Sequence, residues 1–281
     1  MGRAVAAVAA LAVLAAGCSG SGAPAIAPKP AKRGPVALPP RDALALAARS
    51  GRNAITISVR DREATVGVIG GDGLGVDRLT VAVNGGPARP CGYGCYMTHL
   101  AGSPSAAVVR VSSGNVVFPL STVPGPAAGL VARAGRALRS SRSVVSREWL
   151  SSGLGNTITT LWQEQAPDRL SYAISGGAAG IVIGGRRWDR AVGGSWVASP
   201  QTPLSLPARP WREPVTNAHI LEADAGGWTV AFLDRSVPAW FRLRIDRRTG
   251  LPADSRMIAT AHFMRDVYLA YGRRLRISPP R

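Results

Sequence analysis

The sequence predicts a mainly β protein of the α+β class, in which a small antiparallel sandwich is followed by one helix and a long antiparallel sheet. Short stretches of alternating apolar and polar residues recur along the chain, and a period of two is typical of strands. The 33 glycines and 22 prolines favour many short strands joined by turns. One segment, after Pro126, has helical periodicity instead.

The first 18 residues have the pattern of an export signal. Arg3 supplies a positive charge, residues 4–16 are apolar, and small residues precede Cys18. This run is shorter than the about 20 residues that a membrane-spanning helix needs, which favours a secretory signal. Residues 14–18 resemble the lipobox of bacterial lipoproteins. The resemblance implies that Cys18 is acylated and anchors the protein to the extracytoplasmic face of the cell membrane; an ordinary signal peptide with an incidental cysteine is the alternative.

Residues 19–41 are predicted to be a disordered tether. They begin with Ser-Gly-Ser-Gly and continue rich in proline and alanine, with few charges. Such a composition cannot bury a core and forms a flexible spacer. We therefore expect it to hold the folded part away from the membrane.

Residues 42–123 are predicted to form a small antiparallel sandwich, because several short strands are separated by glycine-rich turns. A short helical turn is expected at residues 42–48. The expected strands cover residues 54–59, 63–68, 79–83, 107–111 and 116–118.

The cysteine cluster of this region has two interpretations. With Cys18 assigned to lipid, Cys91 and Cys95 form an even pair in an exported compartment, which favours a disulfide that closes a glycine-rich loop. Alternatively, Cys91, Cys95, Met97 and His99 are ligand types that suit Cu(I), and the last three share a face if the chain is extended. Copper is therefore the candidate cofactor, and a copper-handling or thiol-redox role is the alternative function. Anaerobic Cu(I) binding that is lost in Cys95→Ser would support it.

With this glycine-flanked cysteine pair, residues 42–123 loosely resemble the Ig-like extracytoplasmic domains of the CopC, YtkA and FixH type, found beside bacterial copper proteins. The resemblance implies an Ig-like β-sandwich. The Cys-x-x-x-Cys spacing is similar to that of copper-delivery proteins of the Sco type. The CopC copper site, however, needs an N-terminal histidine, which this sequence lacks.

Residues 124–281 are predicted to form a second domain that begins with an amphipathic helix. Leu130, Ala134 and Leu138 fall on one stripe after Pro126, with arginines on the opposite side. A proline-rich loop or flap is expected at residues 199–214. The expected strands cover residues 144–150, 157–165, 170–174, 181–183, 187–190, 196–198 and 220–223.

Residues 227–263 are predicted to form an antiparallel meander. The alternation runs through Trp228, Val230 and Phe232, then through Phe241, Leu243 and Ile245, and a third run follows from residue 256. Residues 246–250 read Asp-Arg-Arg-Thr-Gly, a sequence typical of a short hairpin with a bulge.

This order of one helix and then a long antiparallel sheet resembles the LolA and LppX type of lipoprotein fold, notably at residues 166–172, 181–188 and 241–250. The resemblance implies a helix plus antiparallel half-barrel sheet, with an apolar cavity that accepts acyl chains. All seven tryptophans lie in this half, so we expect one aromatic face, which either lines the cavity or fills it as a packed core. The candidate ligand-lining residues are Leu130, Leu138, Trp162, Tyr172, Trp228, Phe232 and Phe241.

Composition and motifs narrow the function classes. The net charge of +18 comes almost wholly from arginine, in isolated pairs rather than long runs, so nucleic acid is not the expected partner. The sequence has no Gly-x-Ser-x-Gly or His-Glu-x-x-His motif, and it indicates no particular protein partner. The leading hypothesis is a non-catalytic, membrane-anchored envelope lipoprotein that binds or senses a hydrophobic or lipid ligand.

Overall fold

The structure, a computed structural model, describes residues 34–152, 156–260 and 262–281. The predicted export signal, Cys18 and the first part of the predicted tether lie outside the described residues. The first nine strands are β1 (Leu44–Ser50), β2 (Asn53–Arg60), β3 (Glu63–Ile69), β4 (Ala82–Val83), β5 (Gly86–Pro87), β6 (Arg89–Gly92), β7 (Cys95–His99), β8 (Ala106–Val111) and β9 (Gly114–Pro119).

One helix and eleven further strands follow within the described residues. They are α1 (Ala127–Arg139), β10 (Ser143–Ser151), β11 (Thr157–Gln165), β12 (Arg169–Ile174), β13 (Ala179–Ile183), β14 (Arg186–Arg190), β15 (Trp196–Pro200), β16 (Thr216–Asp224), β17 (Gly227–Asp234), β18 (Ala239–Asp246), β19 (Pro252–Ala259) and β20 (His262–Tyr271). The mainly β fold class with a single helix is thereby confirmed.

The strands form three antiparallel sheets. The first has five strands in the order β1-β2-β3-β7-β6, and the second has four in the order β5-β4-β8-β9. The third has eleven strands in the order β15-β14-β13-β12-β11-β10-β20-β19-β18-β17-β16. Strand β20 therefore joins two meanders, because it pairs with β10 on one side and β19 on the other.

Alternating side chains of β1 enter two different apolar clusters. Leu44 and Leu46 pack in a cluster shared by the five- and four-stranded sheets. Ala45 and Ala47 pack instead with Trp240 and other residues of the eleven-stranded sheet. Because successive strand residues point to opposite faces, the five-stranded sheet lies between the other two sheets.

Helix α1 covers the opposite face of the eleven-stranded sheet. Its apolar stripe, which includes Leu130 and Val131, packs on Phe232, Phe241 and Leu243. Arg136 and Arg139 lie in its last turn, where cations interact favourably with the helix dipole. One face of the large sheet therefore packs against α1, and the other packs against the five-stranded sheet.

Most predicted strands and the hairpin are confirmed. Gly250 has a φ of +69°, and a register shift between Arg244 and Ile245 supplies the bulge. The Asp246 carboxylate accepts hydrogen bonds from the backbone N–H and the hydroxyl of Thr249, at 2.7 Å each. The irregular conformation after β15, up to residue 215, is also as expected for the proline-rich segment.

Two local predictions near the start of the described region are wrong. Residues 44–48 form part of β1 rather than a helical turn, because pairing with β2 and burial on both faces override a helical preference. Residues 34–40 do not form a free tether, because Val36 and Leu38 pack against the cluster around Trp240.

The expectation of one aromatic face is also wrong. Trp240 and Phe241 are neighbours in β18 and therefore point to opposite faces, Trp240 towards the five-stranded sheet and Phe241 towards α1. No helix among the described residues has the length and apolar character needed to cross a membrane.

Candidate functional site

A large cavity, which we call the cleft, lies between the five-stranded and eleven-stranded sheets and is also lined by a strand of the four-stranded sheet. It has a volume of about 600 Å³. Its walls come from β1, β9 and β18–β20, with contributions from β10, β11 and β16. The lining residues are Leu46, Ala47, Ala48, Arg49, Val117, Phe118, Pro119, Trp149, Ser151, Thr157, Leu221, Trp240, Phe241, Arg242, Arg256, Ile258, Phe263, Met264 and Arg265.

The cleft combines apolar walls with positive charge. Thirteen of its nineteen lining residues are apolar, four are arginines, and the other two are Ser151 and Thr157. No aspartate or glutamate is among these lining residues. Apolar sites with a few convergent polar groups are the usual form of small-molecule binding sites.

Two of the arginines lie over aromatic rings of the cleft. The guanidinium carbon of Arg49 is 4.8 Å from the centre of the Phe263 ring, and that of Arg265 is 5.6 Å from the Trp149 ring. Arg49 also donates hydrogen bonds to the Ser151 hydroxyl at 3.0 Å and to a backbone carbonyl. These contacts fix the cationic groups at the edge of the apolar wall.

A second cavity of about 320 Å³ lies on the α1 face of the large sheet, under the proline-rich segment, and we call it the carboxyl pocket. Leu204, Leu206 and Pro210 of that segment cover it. Three acidic side chains line it: Glu148 from β10, Glu164 from β11 and Asp266 from β20.

Burial controls the ionisation of these three carboxyl groups. Asp266 is 7% exposed, and burial together with the charge of Glu148 raises its pKa to about 7. Burial also raises the pKa of Glu164, which accepts a hydrogen bond from the Ala208 N–H at 2.8 Å, and that of Glu148. Proton uptake therefore lets the pocket hold three acids without three negative charges.

The structure separates the predicted ligand-lining residues into groups. Leu130, Phe232 and Phe241 pack together as a core, with the Phe232 and Phe241 rings stacked at 5.0 Å, and Trp228 packs against this core. Leu138 is fully buried. No residue of α1 is among the lining residues of the cleft or of the carboxyl pocket.

The other two predicted lining residues form a separate pair. Trp162 lines the carboxyl pocket, and its ring centre lies 5.1 Å from that of Tyr172. The Tyr172 hydroxyl donates a hydrogen bond to Asp189 at 3.0 Å, which is consistent with a structural role for this residue. Phe241 is the one member of the predicted set that lines the cleft.

The cysteine pair forms a disulfide between Cys91 and Cys95. Cys95, Met97 and His99 share a face of the extended strand β7, as the spacing predicts, and the last two are exposed. Both sulfurs are bonded, so neither is a thiolate and the copper hypothesis applies to a reduced form of the pair. Among the described residues, no group of three or more His, Cys, Asp or Glu side chains is arranged to hold a metal ion.

Sequence reasoning missed the four arginines of the cleft and the three acids of the carboxyl pocket. Both sets include a residue from β20, which the alternation pattern did not identify as a separate strand. The signal was present as Arg265 beside Asp266, but only the pairing of β20 with β10 and β19 brings their partners together.

Comparisons with known proteins add little to this geometry. No protein-family model and no curated protein match the sequence. A crystal structure of a LolA superfamily protein from Nitrosomonas europaea is similar over 56% of this chain and 96% of that chain, with 13% sequence identity and a TM-score of 0.25. At this TM-score the likeness carries no argument about what the present chain binds.

Proposed function

We propose that this protein binds a hydrophobic ligand, such as a lipid acyl chain, in the cleft and acts without catalysis. The observation that carries the proposal is the volume of about 600 Å³ between packed sheets, with mainly apolar walls. Ligand pockets commonly measure roughly 300–1,000 Å³, so the cleft has room for a single-chain amphiphile. The resemblance to the LolA and LppX type implies the same class of ligand.

The cleft is favoured over the α1 face as the ligand site. Beneath α1 the space is occupied by Trp211, Phe232 and Phe241, whose ring centres lie within 6.1 Å of one another. The carboxyl pocket is smaller, at about 320 Å³, and burying an acyl chain there would further desolvate its acids. The cleft has apolar surface without buried acidic groups.

Filling the cleft should abolish binding. We expect the purified full-length protein to yield acyl species on solvent extraction and mass analysis, and to bind the neutral probe N-phenyl-1-naphthylamine. Ala47 lines the cleft, and Ala47→Phe should weaken probe binding by at least about tenfold, a loss of about 1.4 kcal/mol. Ala198→Phe, an exposed change in strand β15, is the matched control and should leave binding unchanged.

The result that would refute this proposal is equal probe binding by the two variants, or a protein that carries no lipid and binds no probe. Circular dichroism and melting curves would establish that both variants are folded.

We further propose that lipid on Cys18 anchors the protein to the extracytoplasmic face of the membrane. The lipobox pattern supports this assignment, and the disulfide fits an oxidising compartment. Metabolic labelling with a radioactive fatty acid should label the wild-type chain and not Cys18→Ser. Label retained by that variant would show that the lipid is attached elsewhere and would refute Cys18 as the anchor.

A further inference from the structure

Three arginines stand side by side on the cleft face of the large sheet. The register pairs Arg242 of β18 with Arg256 of β19, and Arg256 with Arg265 of β20. Side chains directly opposite each other on neighbouring strands lie about 4.5–5.5 Å apart at Cβ, and like charges there are destabilising. The fold therefore maintains a row of repelling cations at the cleft, which we call the arginine row.

Little negative charge compensates the arginine row. Asp254 accepts hydrogen bonds from Arg265 at 2.8 Å, and its other oxygen is 3.8 Å from the Arg256 Nε. Arg242 is exposed and has no hydrogen bond or ion pair within the described part of the chain. Among the described residues, the hydrogen bonds of Arg49, at the opposite wall, go to neutral oxygens.

Elsewhere among the described residues, some arginines have an ion pair with a carboxylate of their own. Three such pairs have N–O distances of 2.5–2.8 Å: Arg187 with Asp189, Arg209 with Glu213, and Arg244 with Asp224. In the cleft, by contrast, Arg256 and Arg265 share the single carboxylate of Asp254, and Arg49 and Arg242 have no ion pair with a described residue. The cleft therefore holds four guanidinium groups and one carboxylate beside mainly apolar walls, which is a local excess of positive charge.

We propose that the ligand of the cleft is an anionic amphiphile, whose carboxylate or phosphate group binds Arg242 and Arg256 while its hydrocarbon chain lies along the apolar wall. This inference rests on the proposed function and adds the chemical class of the headgroup. Guanidinium groups form paired, charge-assisted hydrogen bonds with oxyanions, so an anionic group between the two side chains would also relieve their repulsion.

The arrangement favours a chain-bearing anion over a free ion or a polyanion. Trp149, Phe263 and Ile258 flank the arginines with apolar surface, which a free phosphate would leave unused. An oligonucleotide would present several phosphates along an extended path, whereas the arginine row spans three adjacent strands at the edge of a cavity. One headgroup with one attached apolar chain fits both features.

The test compares oleoyl ligands that share a chain and differ in the headgroup. Oleate and oleoyl lysophosphatidate are anionic, and monoolein is neutral. Each would displace N-phenyl-1-naphthylamine from the purified full-length protein. We expect oleate and oleoyl lysophosphatidate each to bind at least about tenfold more tightly than monoolein. The difference in affinity between the two anionic ligands shows whether the site prefers a carboxylate or a phosphate. Acetate and inorganic phosphate should displace no probe.

Arginine variants identify the binding groups. Arg242→Gln combined with Arg256→Gln should remove most of the preference for anionic ligands and change monoolein binding much less. Arg186→Gln, an exposed change in strand β14, is the matched control and should keep the preference. If the double variant does not fold, Arg242→Gln alone tests the same contact, because this side chain has no hydrogen bond or ion pair with a described residue.

The outcomes separate this inference from the proposed function. Equal binding of oleate and monoolein to the wild-type protein would overturn the anionic headgroup and leave the hydrophobic site standing. Displacement of the probe by a single-stranded oligonucleotide at the same concentrations as oleate would also overturn it. Failure of all three oleoyl ligands to displace the probe would refute the proposed function itself.

Discussion

The two faces of the eleven-stranded sheet differ in how their clusters of like-charged residues are accommodated: arginines on one face are exposed, and carboxyl groups on the other are buried or half-buried. Arg265 and Asp266 are neighbours in strand β20, yet Arg265 is about half exposed in the cleft and Asp266 is 7% exposed in the carboxyl pocket. Arginine keeps its charge at any ordinary pH, so a row of arginines needs solvent or an anion beside it. Carboxyl groups can instead bind protons, and burial then becomes tolerable.

This difference teaches which face is suited to a charged ligand. The cleft face has open volume and unbalanced charge, so an anion can bind there without displacing a protein group. On the α1 face, aromatic rings fill the space beneath the helix, and the acids of the carboxyl pocket lose part of their charge by proton uptake. In this proposal the same strands supply a binding face and a stabilising face, because alternate residues point in opposite directions.

The largest expected effect comes from the aromatic core of the α1 face. Phe232 is fully buried and lies between Trp211 and Phe241, at 5.6 and 5.0 Å from their ring centres. Phe232→Ala should cost about 3–5 kcal/mol of unfolding free energy, because it creates a cavity in packed rings. Urea denaturation measures the loss, and Phe232→Leu should lose less.

The same variant tests the division between the faces. Folded Phe232→Ala should still bind N-phenyl-1-naphthylamine in the cleft with nearly unchanged affinity. A folded variant that no longer binds the probe would instead place the ligand on the α1 face, and would contradict the assignment of ligand binding to the cleft face.

The second largest expected effect is a pH dependence of the unfolding free energy that arises from Asp266. Its pKa is about 7 in the folded protein, whereas an unfolded aspartate has a pKa near 3.9. The folded state therefore binds the Asp266 proton more tightly than the unfolded state does. The stabilisation that this proton gives the folded state is complete below pH 4 and is lost as the pH rises to about 7. Glu148, Glu164 and Asp254 act in the same direction, since their negative charges oppose ionisation of Asp266.

Asp266→Asn isolates this contribution. Between pH 4 and pH 8 the wild-type protein should lose about 2–4 kcal/mol more unfolding free energy than the variant, since each unit of pKa shift corresponds to about 1.4 kcal/mol. Asparagine keeps the shape and can accept the hydrogen bond from the Ser255 hydroxyl. Parallel pH profiles of the two proteins, measured by urea denaturation, would show that Asp266 ionises normally.

The sequence was sufficient to predict most of the strands and insufficient to predict the sites. Alternation identifies β17 and β18 and the hairpin at Asp246, because these depend on neighbours in sequence. The sites depend on register between distant strands, which places Glu148 opposite Asp266 and Trp149 opposite Arg265. No local pattern carries that information.

For a related reason, most of the predicted ligand-lining residues do not line the cleft. Apolar periodicity shows that Leu130 and Phe232 are buried, but it does not show whether they face a void or each other. The volume left between two sheets depends on the side chains of both, here on small Ala47 of β1 opposite Trp240 of β18. Such a void follows from packing between segments almost 200 positions apart.

The smallest expected effect concerns the cost of the arginine row without ligand. Arg256 is the central member, facing Arg242 and Arg265, and has only a 3.8 Å contact with Asp254. Arg256→Gln should therefore raise the unfolding free energy by about 0.2–1 kcal/mol at low salt, because it removes two like-charge contacts. The gain should shrink in about 1 M salt, where the screening length falls to about 3 Å.

Melting curves of the ligand-free protein at two salt concentrations measure this effect, with Arg186→Gln as the control. A gain in stability coupled to weaker oleate binding would mean that the cleft face holds repelling charges which its ligand relieves. Loss of stability in Arg256→Gln at low salt would show that attraction to Asp254 outweighs the repulsion. In that case the charges on both faces would be compensated within the protein. The uncompensated positive charge, which is the main reason to assign an anionic ligand to the cleft, would then be absent.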